Sequence, residues 1–232
     1  MGACPAMADI TFVIANKNYS SWSLRGWLAM KLSGLDFDEI VIPLRQADSR
    51  TEILKYSPSA KLPALIDGAV TVWESMGIIE YLAEKCPDAG LWPKAPAERA
   101  WARAVASEMH GGFIPLRRAL PMNMRRQIPG IELNDLVQGD INRIQAIWRE
   151  AQRSHANACG EGPYLLGEFS ALDAMFAPIV SRFTTHEIPL EEGAIAYMDA
   201  VNAHPLMVEW CEAAKCEPWV IQEFEIDPTS GE

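Results

Sequence analysis

The stretch Leu62-Pro-Ala-Leu-Ile-Asp-Gly-Ala-Val-Thr-Val-Trp73 decides the fold of this chain. It contains two apolar runs separated by Asp67-Gly68, a dipeptide that favours a tight turn between antiparallel strands. Pro63 stands at the start of the first run, where a strand tolerates proline. The stretch therefore predicts a β-hairpin, and a hairpin in a chain that otherwise alternates strands and helices produces a mixed sheet. A doubly wound nucleotide-binding domain has a parallel sheet instead.

On either side of this hairpin, runs of strand-forming residues alternate with segments of helical spacing. Residues 10–15 and 37–42 predict two strands, and residues 24–32 predict the helix between them. A short helix is expected around residues 51–56, and another over residues 75–85, directly after the hairpin. The predicted order is βαβαββα, which is an α+β arrangement.

In the rest of the chain the strand patterns disappear and helical spacing remains. We predict a first domain at residues 8–88, a linker at 89–97 and an all-α domain at 98–232. Ser170 and Asp173 have the spacing of a capping box, and we assign them to helix nucleation rather than to catalysis. The predicted helices of the second domain, the first interrupted by Gly111, Gly112 and Pro115, cover residues 98–118, 134–158, 170–183, 191–203 and 206–216.

The amino-acid composition disfavours several classes of binding partner. The chain has 20 basic and 31 acidic residues, a formal net charge of -11, which disfavours nucleic acid and anionic membranes. The five cysteines are scattered without metal-ligand spacing, so we expect reduced thiols, no metal site and a cytoplasmic location. No apolar run is long enough to span a bilayer, and the first nine residues lack the features of a signal peptide.

The turn Asn18-Tyr-Ser-Ser-Trp-Ser-Leu-Arg25 joins the first predicted strand to the first predicted helix. Serine is common before a helix because its hydroxyl caps free backbone N–H groups. The start of a helix also attracts anions, and a serine hydroxyl there can donate a hydrogen bond that lowers the pKa of a nearby thiol. For Ser20, Ser21 and Ser23 the turn by itself leaves both interpretations open.

Two further segments suit an extended peptide ligand. An X–Pro bond is ordinarily trans, but a cis bond before Pro63 would turn the backbone of Leu62 outward to pair with such a peptide. Ser75 is a natural N-cap of the following helix, which is enough to explain it. Together with Glu74 it also suits an α-amino acid, whose carboxylate would bind the hydroxyl and the helix N-terminus while Glu74 binds the ammonium group.

Together these segments resemble the glutathione transferase family over nearly the whole chain. The resemblance implies a thioredoxin-like N-terminal domain that binds glutathione and an all-helical C-terminal domain that holds the second substrate. In that family the residue before a cis-proline pairs with the cysteinyl backbone of glutathione, and an acidic-serine pair holds its γ-glutamyl group. The glutathione-binding residues that the resemblance implies here are Ser23, Lys61, Leu62, Pro63, Glu74 and Ser75.

The serine turn indicates the subtype. Ser20-Ser-Trp-Ser-Leu-Arg25 resembles the Ser-Ser-Cys-x-x-Arg signature of the zeta class, which gives the catalytic position to Ser20. The theta-type Ser-x-Pro-x-Arg pattern would give it to Ser21. The neighbouring Tyr19 makes a tyrosine-type mechanism a minor alternative. Trp22 replaces the cysteine associated with maleylacetoacetate isomerisation, so the resemblance favours a transferase.

The resemblance implies that a serine-stabilised glutathione thiolate attacks a small hydrophobic electrophile, with glutathione as co-substrate and no metal. Lys61 and Lys55 are expected near the glycine carboxylate of glutathione, and a homodimer is expected. Met109, His110, Phe113 and Arg117 lie where the family places the electrophile pocket, although core or surface positions explain them equally well.

Two alternative functions remain on sequence grounds. One is a glutathione-dependent isomerase that resembles maleylacetoacetate isomerase, and the other is a non-catalytic binding module with the same fold. A thiol-dependent oxidoreductase would need a cysteine in the turn, and residues 16–30 contain none.

Overall fold

The computed structural model describes residues 9–226, so the predicted outer bounds at residues 8 and 232 lie outside the described part. The predicted βαβαββα order is confirmed. Its elements are β1 (Ile10–Ile14), α1 (Ser21–Leu32), β2 (Asp38–Val41), α2 (Ser49–Leu54), β3 (Ala64–Asp67), β4 (Val70–Trp73) and α3 (Ser75–Lys85).

The four strands form one mixed sheet in the order β2-β1-β3-β4. β1 runs parallel to β2 and antiparallel to β3, and β3 and β4 form the predicted hairpin. Asp67 pairs with Val70, so Gly68 and Ala69 make the turn. Gly68 has a φ of +57°, a left-handed conformation that glycine adopts without a steric penalty.

The second half is helical, which confirms the predicted fold class. Its elements are α4 (Pro96–Gly111), α5 (Ile114–Ala119), α6 (Asp135–Ser154), α7 (Ala171–Thr185), α8 (Glu192–Ala203) and α9 (Pro205–Lys215). The predicted interruption of the helix at 98–118 is confirmed: Gly112 is extended and Phe113 has a φ of +59°, so the segment forms two helices. Within residues 9–226, no helix combines the length and apolar character needed to cross a membrane.

The domain boundaries stay a prediction, and α4 begins inside the predicted linker.

Helix α7 anchors the helical half. As predicted, Ser170 and Asp173 form a capping box, in which the Asp173 carboxylate accepts from the N–H and the hydroxyl of Ser170, both at 2.9 Å. The other carboxylate oxygen accepts from the N–H of Leu165 and the hydroxyl of Tyr197, both at 3.1 Å. Burial nevertheless raises the pKa of Asp173 to about 6.

Helix α1 lies between the two halves of the molecule, in contact with α3 on one side and α7 on the other. Its buried apolar residues include Leu24, Trp27 and Leu28. The first turn of α1 begins at the predicted serine turn. The position of those serines is therefore fixed by the packing of both halves.

Candidate functional site

Ser20 is the N-cap of α1. Its backbone is extended, and its hydroxyl accepts a hydrogen bond from the N–H of Ser23 at 3.2 Å. The hydroxyl of Ser20 also bonds to the hydroxyl of Ser23 at 2.8 Å, which itself accepts from the N–H of Ala15 at 2.9 Å. A short chain of hydrogen bonds thus runs from the end of β1 to Ser20.

The residues of the serine turn have different surroundings. Ser20 lies on the wall of a cavity of about 680 Å³, whereas Ser21 and Ser23 are buried outside its lining. Ser23 therefore supports Ser20, and its expected glutathione-binding role stays a prediction. The Tyr19 hydroxyl donates a hydrogen bond to Glu225 and accepts one from Arg125 at 2.8 Å. Both of its hydrogen-bond partners are therefore side chains of the C-terminal half.

The cavity lies between the sheet half and the start of the helical half. Six predicted residues reach it: Ser20, Lys61, Leu62, Glu74, His110 and Arg117. Met109 and Phe113 were predicted in its lining but lie in the hydrophobic core, 0% and 8% exposed. Sequence reasoning missed other lining residues, among them Trp22, Leu44, Ile53 and Ile114, because apolar residues on loops and helix ends carry no distinctive pattern.

Leu62 lines the cavity next to a cis peptide bond. The Leu62–Pro63 bond is cis, and within residues 9–226 neither the N–H nor the C=O of Leu62 forms a hydrogen bond. Pro63 is buried and packs against α1, where a Cβ on Gly26 would lie 3.0 Å from its ring. Glycine at position 26 therefore lets α1 approach the loop that holds Leu62.

The junction between β4 and α3 differs from the prediction. The N-cap of α3 is Glu74, with a φ of +70°, and Ser75 is the first helical residue. The buried hydroxyl oxygen of Ser75 has no hydrogen-bond partner among the described residues. An unsatisfied buried hydroxyl is costly and is expected where a ligand completes the bonding. Glu74 lies on the cavity wall, 3.9 Å from the ring of His110, whose pKa is lowered by burial.

The two predicted lysines are placed differently. Lys61 is exposed at the edge of the cavity. Lys55 does not line the cavity, and it forms an ion pair with Glu52 on α2 at 2.6 Å. Lys61 is therefore the better candidate for binding an anionic end group, and the expected role of Lys55 stays a prediction.

Three arginines cluster behind the cavity, and none forms an ion pair with a carboxylate of residues 9–226. Burial holds the pKa of Arg25 well below its usual range, with further lowering by Arg117 and Arg182. Burial likewise lowers the pKa of Arg182 to about 9. Burial also lowers the pKa of Arg117, and the nearby Asp140 carboxylate acts in the opposite direction. Arg117 lines the cavity, and the centroid of the Trp22 ring is 4.7 Å from the Arg25 guanidinium and 5.4 Å from that of Arg117.

Comparisons with known proteins agree on one family. Residues 19–85 match the model described as "Glutathione S-transferase, N-terminal domain". Glutathione S-transferase 1 of Dianthus caryophyllus is 32% identical over 176 residues, which cover 74% of this chain and 76% of that protein. A probable maleylacetoacetate isomerase of Caenorhabditis elegans is 34% identical over 96 residues, 41% of this chain and 44% of that protein.

A solved structure shows the same fold. The glutathione transferase homolog from Burkholderia, determined with bound glutathione, superposes with a TM-score of 0.68. The superposition covers 90% of this chain and 99% of that one at 20% identity.

The free hydroxyl of Ser75 leads to a prediction about stability. In the ligand-free protein, Ser75→Ala should leave the free energy of unfolding unchanged or slightly higher, because no hydrogen bond is lost. The matched control is Ser170→Ala, which removes the hydroxyl bonded to Asp173 and should cost about 1 kcal/mol. Urea unfolding of the three proteins measures both effects. Equal destabilisation by the two substitutions would show that Ser75 has a structural partner.

Proposed function

Because the chain belongs to the glutathione S-transferase family, we propose that it is a glutathione transferase in which Ser20 stabilises the glutathione thiolate. A relative 32% identical over three quarters of its own length supports the family assignment. The observation that carries the proposal is the position of Ser20, whose hydroxyl caps α1 and lines the same cavity as Leu62 and Glu74. One cavity therefore offers groups for the thiol and for the peptide backbone.

We place the tripeptide along the segment that precedes β3 and contains Leu62. The cysteinyl unit pairs with the open N–H and C=O of Leu62, as an added strand would. The γ-glutamyl carboxylate reaches the Ser75 hydroxyl at the start of α3, which has no partner within residues 9–226, and its ammonium group faces Glu74. The glycine carboxylate lies towards Lys61.

Ser20 acts as a hydrogen-bond donor and not as a base. When it donates to the thiolate, the N–H of Ser23 can still donate to the Ser20 oxygen, and the Ser23 hydroxyl can turn to do the same. Such a chain of donors polarises the Ser20 hydroxyl. Each unit by which the thiol pKa falls corresponds to about 1.4 kcal/mol of thiolate stabilisation. The hydroxyl and the N-terminus of α1 together supply roughly one to two units.

The reaction then follows from the thiolate. The glutathione thiol loses its proton to solvent when the tripeptide binds, and a lone pair of the thiolate sulfur then forms a bond to the electrophilic carbon. The leaving group departs with the electron pair of the broken bond. The apolar part of the lining, which includes Trp22, Leu44 and Ile114, suits a small hydrophobic electrophile.

Single substitutions in the turn test this assignment. Ser20→Ala should raise the pKa of the bound glutathione thiol by about one unit or more, because it removes a hydrogen bond to the charged form. Ser21→Ala is the matched control, since Ser21 lies outside the cavity lining, and it should leave the thiol pKa unchanged. The pH dependence of thiolate absorbance measures both values.

The controls separate two kinds of failure. If both variants and the wild type share one thiol pKa, Ser20 does not activate the thiol. If the wild type does not bind glutathione, the chain is the non-catalytic module.

The expected homodimer stays a prediction.

A second candidate function is isomerisation of an unsaturated carboxylate with glutathione as the co-reactant. The three arginines favour it, because they form no ion pair within residues 9–226 and Arg117 presents positive charge to the cavity with Arg25 and Arg182 close behind. A relative that matches part of the chain is named as a probable maleylacetoacetate isomerase. The absence of a cysteine at Trp22 counts against it, so we keep the transferase first.

Arg117→Gln tests whether the second substrate carries an anion. With glutathione saturating, the KM for an aryl halide bearing a carboxylate should rise about tenfold more than the KM for its uncharged analogue, because a charge-assisted hydrogen bond is lost. Arg118→Gln is the control, since Arg118 is the exposed neighbour on α5. Equal effects on both electrophiles would reject the anion site.

A further inference from the structure

We infer that Glu217 is a positioning residue for Ser20, an inference that rests on the proposed role of Ser20 in activating the thiol. Glu217 follows α9, about 200 positions from the serine turn. One of its carboxylate oxygens accepts from the N–H of Lys17 at 2.7 Å, and the other accepts from the N–H of Asn18 at 3.1 Å. These two backbone groups form no other hydrogen bond within residues 9–226. The carboxylate therefore supplies the hydrogen-bond acceptor for both backbone N–H groups in this part of the loop.

The position of Ser20 follows from this loop. The N–H of Ser20 donates to the C=O of Asn16 at 2.9 Å, so Lys17 and Asn18 lie inside the turn that this bond closes. The C=O of Lys17 accepts from the indole N–H of Trp210 at 3.0 Å. If the carboxylate is removed, the turn loses two of the bonds that orient the N-cap of α1.

The opposite side of the turn is held by residues that precede α6. The N–H of Arg125 donates to the side-chain oxygen of Asn18 at 3.1 Å, and the amide nitrogen of Asn18 donates to Asn123 at 3.1 Å. With these contacts present, loss of the Glu217 carboxylate should displace the loop rather than unfold it.

Arg125 also fastens the segment that carries Glu217. Its guanidinium donates to the C=O of Glu217 at 2.8 Å, to the C=O of Trp219 at 2.9 Å and to the hydroxyl of Tyr19 at 2.8 Å. The segment after α9 and the serine turn are thus connected through two independent contacts. Glu217 touches neither the cavity nor the Ser20 hydroxyl, so its effect on the thiol is exerted through the backbone.

Glu217→Gln tests the inference with the full-length chain and glutathione. The amide keeps one oxygen but turns its NH₂ group towards a backbone N–H, so one of the two bonds is lost. The pKa of the bound thiol should rise by about half a unit to one unit, and by no more than Ser20→Ala causes. The Kd for glutathione should change less than about threefold, because Leu62, Glu74 and Ser75 do not contact Glu217.

The matched control is Glu212→Gln on α9, since Glu212 forms an exposed ion pair with Lys215 and does not contact the turn. This variant should keep the wild-type thiol pKa. An unchanged thiol pKa in Glu217→Gln, even with a lower melting temperature, would make Glu217 merely structural and overturn the inference.

Two further measurements keep the test decisive. If Glu217→Gln does not fold, Glu217→Asp keeps the charge on a shorter side chain, and an unchanged thiol pKa in that variant would likewise overturn the inference. The proposed function fails separately, through Ser20→Ala without any shift in the thiol pKa. A shift in Ser20→Ala without one in Glu217→Gln would reject the positioning role alone.

Discussion

The hydrogen bond between the N–H of Ser23 and the hydroxyl of Ser20 begins α1, and the rest of the structure depends on that helix. Helix α1 contacts both α3 and α7. The hydrogen bond that starts α1 therefore also fixes the position of Ser20 between the two halves of the molecule. The capping and catalytic interpretations of the serine turn are therefore compatible. The same hydroxyl satisfies the backbone on one side and faces the cavity on the other. Because capping already fixes the side chain of Ser20, little further conformational entropy is lost when its hydroxyl is oriented towards the thiolate.

Several polar groups in the lining of the cavity or next to it have no partner within residues 9–226. Within residues 9–226, the backbone of Leu62 forms no hydrogen bond, Arg117 has no ion pair, and the buried Ser75 hydroxyl, next to Glu74 of the lining, has no partner. Proteins rarely leave such groups unsatisfied unless a ligand completes them. The net charge of -11 conceals this local positive region, so overall charge is a poor guide to what the cavity binds.

Local patterns predicted much of the fold because local interactions determine them. The Asp67-Gly68 turn and the capping box of Ser170 and Asp173 depend on residues a few positions apart, and both are confirmed. The N-cap of α3 was misplaced because Glu74 adopts a positive φ that its residue type does not favour. Contacts across the chain could not be predicted. No periodicity indicates that Glu217 meets Lys17, or that Met109 faces the core while Trp22 faces the cavity.

The central claim is that the sulfur of bound glutathione lies against Ser20. A crystal structure of the glutathione complex tests it most directly, through the distances from the sulfur to the hydroxyls of Ser20, Ser21 and Tyr19. Among these three hydroxyls, we expect only that of Ser20 to lie within hydrogen-bond distance of the sulfur, with the cysteinyl N–H and C=O paired to Leu62. A sulfur atom bonded to Ser21 or Tyr19, or a tripeptide bound away from Leu62, would contradict it.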